Sequence, residues 1–196
     1  MSRVGSRETE IKLVLADVAQ GRRLLRSAGF RVSKRRIFEA NTLFDTARGL
    51  LRRKQCLLRV RQAGAQGILT FKGPVTEGMY KDREELEVHV SDARGFSEIL
   101  GRLDFLPAFR YEKYRTEYSR PGEAGTATLD ETPIGVYLEL EGAPGWIDRS
   151  ARRLGFTDSD YSTASYYGLY ADYCRNRGLH LADMTFSSVQ GRSASP

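Results

Sequence analysis

The sequence predicts an α+β domain in which an antiparallel sheet curls toward closure and helices pack outside it. Three observations support this. Strand-like segments alternate charged and apolar residues with period two, helix-like stretches follow three of them, and Gly- or Pro-containing turns separate the strands. The 196 residues are enough to bury a core without disulfide or metal staples.

In chain order, Glu8-Thr9-Glu10-Ile11-Lys12 reads as the first strand and Asp17 to Phe30 as the first helix-like stretch. There Leu24, Leu25 and Ala28 precede Gly29, a good helix stop. Arg31 to Asp45 is a long strand; Gln55 to Gln62 and Gly67 to Lys72 follow, separated by Gly64 and Gly67. Arg83 to Val90 leads into Ser91 to Phe105, where Ser91 or Asp92 can cap a helix and Phe96, Ile99, Leu100 and Leu103 recur at helical spacing. Tyr111 to Ser119 and Thr126 to Leu129 are strands around Pro121-Gly122 and Gly125. Glu139-Leu140-Glu141 precedes a third helix-like stretch, Trp146 to Phe156, and Thr163 to about Arg177 reads as a final helix carrying Tyr166, Leu169, Tyr170 and Tyr173. A strand-helix-strand unit opening on paired glutamates is thus expected three times. Residues 1–178 are expected to form one domain. Residues 179–196 read as a C-terminal extension, with Ser187 to Pro196 disordered.

Composition excludes several function classes. Hydrophobic residues make up 40% and charged residues 29%, the balance of a globular chain rather than a disordered one. No apolar run nears the ~20 residues that cross a bilayer, and no signal-peptide core follows Met1-Ser2-Arg3, so a cytoplasmic protein with no membrane partner is expected. Cys56 and Cys174 form no C-x-x-C pair and read as buried small hydrophobes; the histidines are His89 and His180. That scarcity leaves a hard cation on carboxylates as the metal chemistry available. The net charge is +6, yet Arg31 to Arg61 alone holds ten basic and two acidic residues, a candidate anion surface.

The alternation puts Glu8, Glu10 and Lys12 on one strand face, with Ile11 and Leu13 opposite. Likewise Arg59 and Arg61 oppose Leu58 and Val60, and Thr70 and Lys72 point together. Arg83, Glu85, Glu87 and His89 oppose Leu86, Val88 and Val90. Lys113, Arg115 and Glu117 alternate with Tyr114, Thr116 and Tyr118; Tyr137, Glu139 and Glu141 alternate with Val136, Leu138 and Leu140. A half-solvated sheet would also alternate, but its exposed face would mix signs, whereas here like charges recur in pairs. Like charges two apart repel and need ions to neutralise them. If helices cover the Leu/Val faces, the charged faces line the inside of the sheet. Arg and Lys there suit phosphate oxygens, and carboxylate pairs suit Mg²⁺ or Mn²⁺.

The sequence here resembles the CYTH superfamily, the triphosphate tunnel metalloenzymes. Glu8-x-Glu10-x-Lys12 is similar to the family's opening signature. In family order follow Phe44-Asp45-Thr46, Leu58-Arg59-Val60-Arg61, Lys72-Gly73-Pro74, Arg83-x-Glu85-x-Glu87, Lys113-x-Arg115, Asp130 with Glu139-x-Glu141, and Ser165-Tyr166. The resemblance runs from about Arg7 to about Tyr173. It implies a closed or nearly closed eight-stranded antiparallel barrel, a tunnel, and Mg²⁺- or Mn²⁺-dependent work on triphosphates. By resemblance Glu8, Glu10, Glu139 and Glu141 are metal-site residues, and Lys12, Arg59, Arg61, Lys72, Lys113 and Arg115 hold the triphosphate. Glu85, Glu87 and Asp130 bind metal or orient water, and Lys12, with these three, is placed in the catalytic set. The blocks look closest to proteins labelled class IV adenylate cyclases. Many relatives carry Tyr where this chain has Leu43, which counts against thiamine triphosphate as substrate.

Three functions follow as expectations. The first is metal-dependent hydrolysis of a triphosphate such as tripolyphosphate or ATP. The second is a class IV adenylate cyclase that forms cyclic AMP and pyrophosphate. The third is a non-catalytic polyphosphate- or RNA-binding module resting on Lys34-Arg35-Arg36 and Arg52-Arg53-Lys54. The carboxylate pairs disfavour it, because a plain cation patch does not need them.

Overall fold

The computed structural model describes residues 6–76 and 78–190. Its strands are β1 (Ser6–Leu15), β2 (Arg31–Asp45), β3 (Leu57–Ala63), β4 (Gln66–Lys72), β5 (Lys81–Val90), β6 (Leu106–Ser119), β7 (Thr126–Thr132) and β8 (Gly135–Glu141). They close into a barrel in the order β1-β5-β4-β3-β2-β6-β7-β8, each neighbour antiparallel. The closing register sets Lys12 opposite Glu139 and Glu10 opposite Glu141, so like-numbered faces of β1 and β8 meet inside.

Six helices lie outside or across the barrel: α1 (Val18–Ser27), α2 (Leu50–Arg53), α3 (Ala93–Arg102), α4 (Pro144–Arg153), α5 (Tyr166–Asn176) and α6 (Phe186–Gln190). Side-chain oxygens of Asp17, Asp92 and Ser165 accept from backbone N–H groups in the first turns of α1, α3 and α5, contacts typically worth about 1 kcal/mol each. Gly29 ends α1 at φ +81°, a left-handed turn that glycine enters without steric cost. A Cβ on Gly21 would lie 2.6 Å from a methyl of Leu129, so glycine lets α1 sit flush on β7.

The apolar core lies between wall and helices rather than in the lumen. Ile11, Leu13, Leu129, Leu138 and Leu140 point outward and pack with Leu25 of α1 and with Trp146 and Ile147 of α4. Val60 and Leu100 form a smaller core beneath α3. A third cluster joins Phe109, Tyr111 and Tyr137 to Tyr166, Tyr170 and Cys174 of α5 and to Met184. No helix among the described residues is long and apolar enough to cross a membrane.

The structure corrects four expectations. The third repeat does not end in a strand: Ser162 makes one antiparallel bridge to Lys12. Ser187 to Gln190, expected in a disordered tail, form part of α6; the rest of that tail, residues 191–196, lies outside the described residues. Cys174 is buried, but Cys56 is only half-buried because it follows α2 at the surface. Helix α2 was missed altogether. It forms because the Asp45 carboxylate accepts from the N–H groups of Thr46, Leu51 and Arg52 at 2.7, 2.8 and 3.0 Å. Burial pushes the Asp45 carboxyl up, but these backbone donors hold it below its ordinary value.

Candidate active site: a charged lumen

The barrel encloses a cavity of about 450 Å³ lined by nine Lys or Arg and seven Glu side chains. Strand pleating delivers them: Glu8, Glu10 and Lys12 from β1, Arg59 and Arg61 from β3, and Lys72 from β4. Lys81, Arg83, Glu85 and Glu87 come from β5, Lys113 and Arg115 from β6, and Glu139 and Glu141 from β8. Thus the structure gathers in one cavity every catalytic, triphosphate-binding and metal-site residue expected from the sequence except Asp130, which sits behind the lining, fully buried.

Asp130 anchors a saturated network. Its Oδ2 accepts from Lys113 Nζ at 2.8 Å and from the Tyr166 hydroxyl at 2.6 Å, and its Oδ1 accepts from Arg115 Nε at 2.7 Å. Arg115 also bonds Glu139, whose other oxygen lies 3.2 Å from Lys12 Nζ. The ammonium groups of Lys12 and Lys113 stand 5.4 and 4.9 Å from the centre of the Tyr166 ring, within cation–π range. With its oxygens thus engaged, Asp130 fits poorly the metal-binding or water-orienting role the resemblance implied. The Glu139 carboxylate is similarly taken up by Lys12 and Arg115. Burial pushes the Glu139 carboxyl up, but Arg115 and Lys12 overcome it and hold the group well below the usual range. Burial likewise opposes the charge of Lys12, yet Glu10 and Glu139 raise it above its ordinary value.

A second group of carboxylates is differently placed. Glu8 accepts from Lys72 and lies 3.6 Å from Arg83 Nε; Glu10 accepts from Lys81 at 2.7 Å; Glu85 lies 3.2 Å from Lys72. Glu141 has no ion pair among the described residues. Burial first, then the neighbouring charges of Glu8 and Glu10, push its carboxyl up to about 7. Burial is also the chief cause that lowers Lys81 to about 8, despite its bond to Glu10.

On the cationic wall, Arg59 Nη2 donates to Thr70 Oγ1 at 3.0 Å, and Thr70 in turn donates to Glu87 at 3.2 Å. Arg61 Nε donates to Asn41 Oδ1 at 3.0 Å, and its Nη1 lies 3.3 Å from Glu39. The buried Nε atoms of Arg59 and Arg83 have no hydrogen-bond partner among the described residues. Such donors rarely stay orphaned in a folded protein, and both arginines belong to the lining of the cavity.

The comparisons with known proteins now bear on these residues. The CYTH domain family matches residues 6–147, most of the chain. The chain belongs to the CYTH family. A Methanocaldococcus jannaschii protein named as a candidate adenylate cyclase is 30% identical over 135 residues, 68% of this chain and 75% of that protein. Two solved structures share the fold. One is a Vibrio parahaemolyticus protein also named as a candidate adenylate cyclase, at TM-score 0.72 and 16% identity, covering 86% of this chain and 99% of that one. The other, from Hippeastrum, is named as a candidate adenylyl cyclase with a dominant triphosphatase activity. It has TM-score 0.63 and 20% identity, covering 89% of this chain and 97% of that one.

In this CYTH lumen, sequence reasoning missed Lys81 as a lining cation and left Arg83 without a role. Counting back by twos from Glu85 finds both on the inward face of β5. Glu39 and Asn41 were also missed. Neither belongs to a charged pair, and their contacts to Arg61 come from the neighbouring strand, which no local spacing reveals.

Proposed function

We propose that the protein is a divalent-metal-dependent triphosphatase that binds the phosphate chain in the barrel lumen. The observation that carries this reading is a lumen lining where cations outnumber carboxylates, with the buried Nε donors of Arg59 and Arg83 lacking a hydrogen-bond acceptor. Phosphate oxygens supply the acceptors these guanidiniums lack. Lys12, Arg61, Lys72, Lys113 and Arg115 complete the cradle, in part by releasing the glutamates they hold in the absence of ligand.

The donor set also fits Mg²⁺ or Mn²⁺. Among the described residues no three carboxyl, imidazole or thiol groups stand ready as a metal cluster, since their oxygens turn to Lys and Arg. However, the raised Glu141 carboxyl beside Glu8 and Glu10 marks a place where a cation would relieve like-charge repulsion. Glu8, Glu10 and Glu141 would hold the ion, with Glu139 bound into the cradle through Lys12 and Arg115. When bound, the ion would neutralise charge on the phosphate chain.

Hydrolysis needs in-line water and little covalent chemistry from the protein. Glu85 and Glu87 orient that water and take its proton as its oxygen attacks the terminal phosphorus. The bridging P–O bond then breaks, and its electron pair leaves with the shortened phosphate chain. The cationic wall stabilises the charge that develops on the phosphoryl oxygens. Cyclisation of ATP, the second reading, is favoured by the name of the archaeal relative at 30% identity. Hydrolysis is preferred here because Tyr111 and Tyr166 of the lining already face Arg59, Lys12 and Lys113, and the third lining tyrosine, Tyr167, packs edge-on against Phe109.

The test is product identification with tripolyphosphate and ATP, each with Mg²⁺ or Mn²⁺. Orthophosphate release from both substrates supports the proposal. Cyclic AMP with pyrophosphate and no orthophosphate overturns it in favour of the cyclase.

A further inference from the structure

Outside the barrel, α1 and the first half of β2 border a second cavity of about 460 Å³. Its charged lining is entirely arginine: Arg22 and Arg26 from α1, and Arg31, Arg35 and Arg36 from β2. Among the described residues no Asp or Glu lines it, whereas the lumen interleaves the two signs. Arg36 is compensated by Glu131 at 2.8 Å and lies 3.5 Å from the centre of the Tyr114 ring. Arg26, Arg31 and Arg35 form no ion pair among the described residues.

A guanidinium does not discharge by losing its proton, so this cluster keeps its charge at any physiological pH. The spacing points to the shape of the missing anion. Arg22 and Arg26 are one helical turn apart, roughly 6 Å. Arg31 and Arg35 are separated by up to about 13 Å at ~3.3 Å per strand residue. One tetrahedral phosphate engages one or two forks; a row this long matches several phosphates in line. The aromatic floor, Phe30 and Tyr118, is buried at 4% and 7% exposure, so it presents little face for stacking a base. Recognition therefore rests on phosphate charge.

We propose that this groove is a second, exterior anion site that takes a linear chain of phosphate groups independently of the lumen. Inorganic polyphosphate and a nucleic-acid backbone both carry that chemistry.

The test measures equilibrium binding to the full chain of three labelled probes: long-chain inorganic polyphosphate, a single-stranded oligonucleotide and polyglutamate. Arg26→Gln/Arg35→Gln should weaken phosphate-chain binding at least tenfold at low salt, and Arg31→Gln/Arg35→Gln, confined to β2, should do the same. All three positions are exposed, and a thermal melt checks that each variant is folded. Lys12→Ala in the lumen should leave this binding in place. Whichever phosphate chain binds more tightly identifies the source. Unchanged binding in both arginine variants, loss in the lumen variant alone, or equal affinity for polyglutamate would each overturn the proposal. Groove binding without any triphosphate turnover would leave this site standing while the lumen reading fell.

Discussion

Two regions of the same lumen differ in how their charges are balanced. Around Asp130, Lys113, Arg115 and Tyr166 each charge has an opposite partner and the side chains are 0–13% exposed. Around Glu141 the carboxylates outnumber the lysines that face them, and Glu87 is 35% exposed. Similar residue types thus build two different environments. The first is a strut, since desolvated charges persist in a barrel wall only when saturated. In the second, repulsion is left for a ligand to relieve, and the proposed metal-holding carboxylates sit there.

The sharpest way to break this comparison is Asp130→Ala. It removes the carboxylate nearest Lys113 and leaves Arg115 with Glu139 alone, a loss of about 3–5 kcal/mol in chemical denaturation. A near-normal unfolding midpoint would show that the Asp130 network is not a strut. Lys72→Ala acts in the other region, where Glu8 keeps Arg83 at 3.6 Å, so the fold should survive. Turnover of tripolyphosphate should fall about 10²–10³-fold, as when one oxyanion donor is removed. Gross unfolding of that variant would erase the distinction between the regions.

Glu39 sharpens the comparison through pH. Burial pushes its carboxyl up, but Arg61 and Lys113 override that and hold it at about 2, against an ordinary 4.5. A carboxyl depressed in the fold adds stability that is complete above its unfolded value and is lost as pH falls toward its folded one. Glu39→Gln should therefore cost about 2–3 kcal/mol at neutral pH and make stability less acid-sensitive between pH 4.5 and 2. Parallel pH–stability curves for variant and wild type would contradict this. The smallest effect is expected at the rim, where Lys34 pairs with Glu117 at 3.0 Å with its side chain 73% exposed. Lys34→Ala should change stability by less than about 0.5 kcal/mol.

Much of the architecture was legible because a strand's two faces are written in alternate residues. Glu8, Glu10 and Lys12 against Ile11 and Leu13 sufficed to predict which side of β1 meets helices. The limits of β2, Arg31 to Asp45, were readable to the residue. Helix α2 was not, because its stability comes from an Asp45 side chain reaching forward six residues rather than from apolar periodicity. The network around Asp130 was not legible for a related reason. The neighbours of Asp130 in sequence are Leu129 and Glu131, whereas the groups that consume its oxygens come from β6 and α5.

The sequence by itself determined the inward and outward faces, the mixture of cations and carboxylates on the lining, and kinship with the CYTH family, because these depend on residue type and short spacings. Only the tertiary structure decided which carboxylate is quenched and which is left in excess. Closing β1 onto β8 brings together charges more than a hundred residues apart in the chain, and α5 lays Tyr166 against Asp130. Charge balance inside a barrel is a sum over distances between strands, and no single segment carries it.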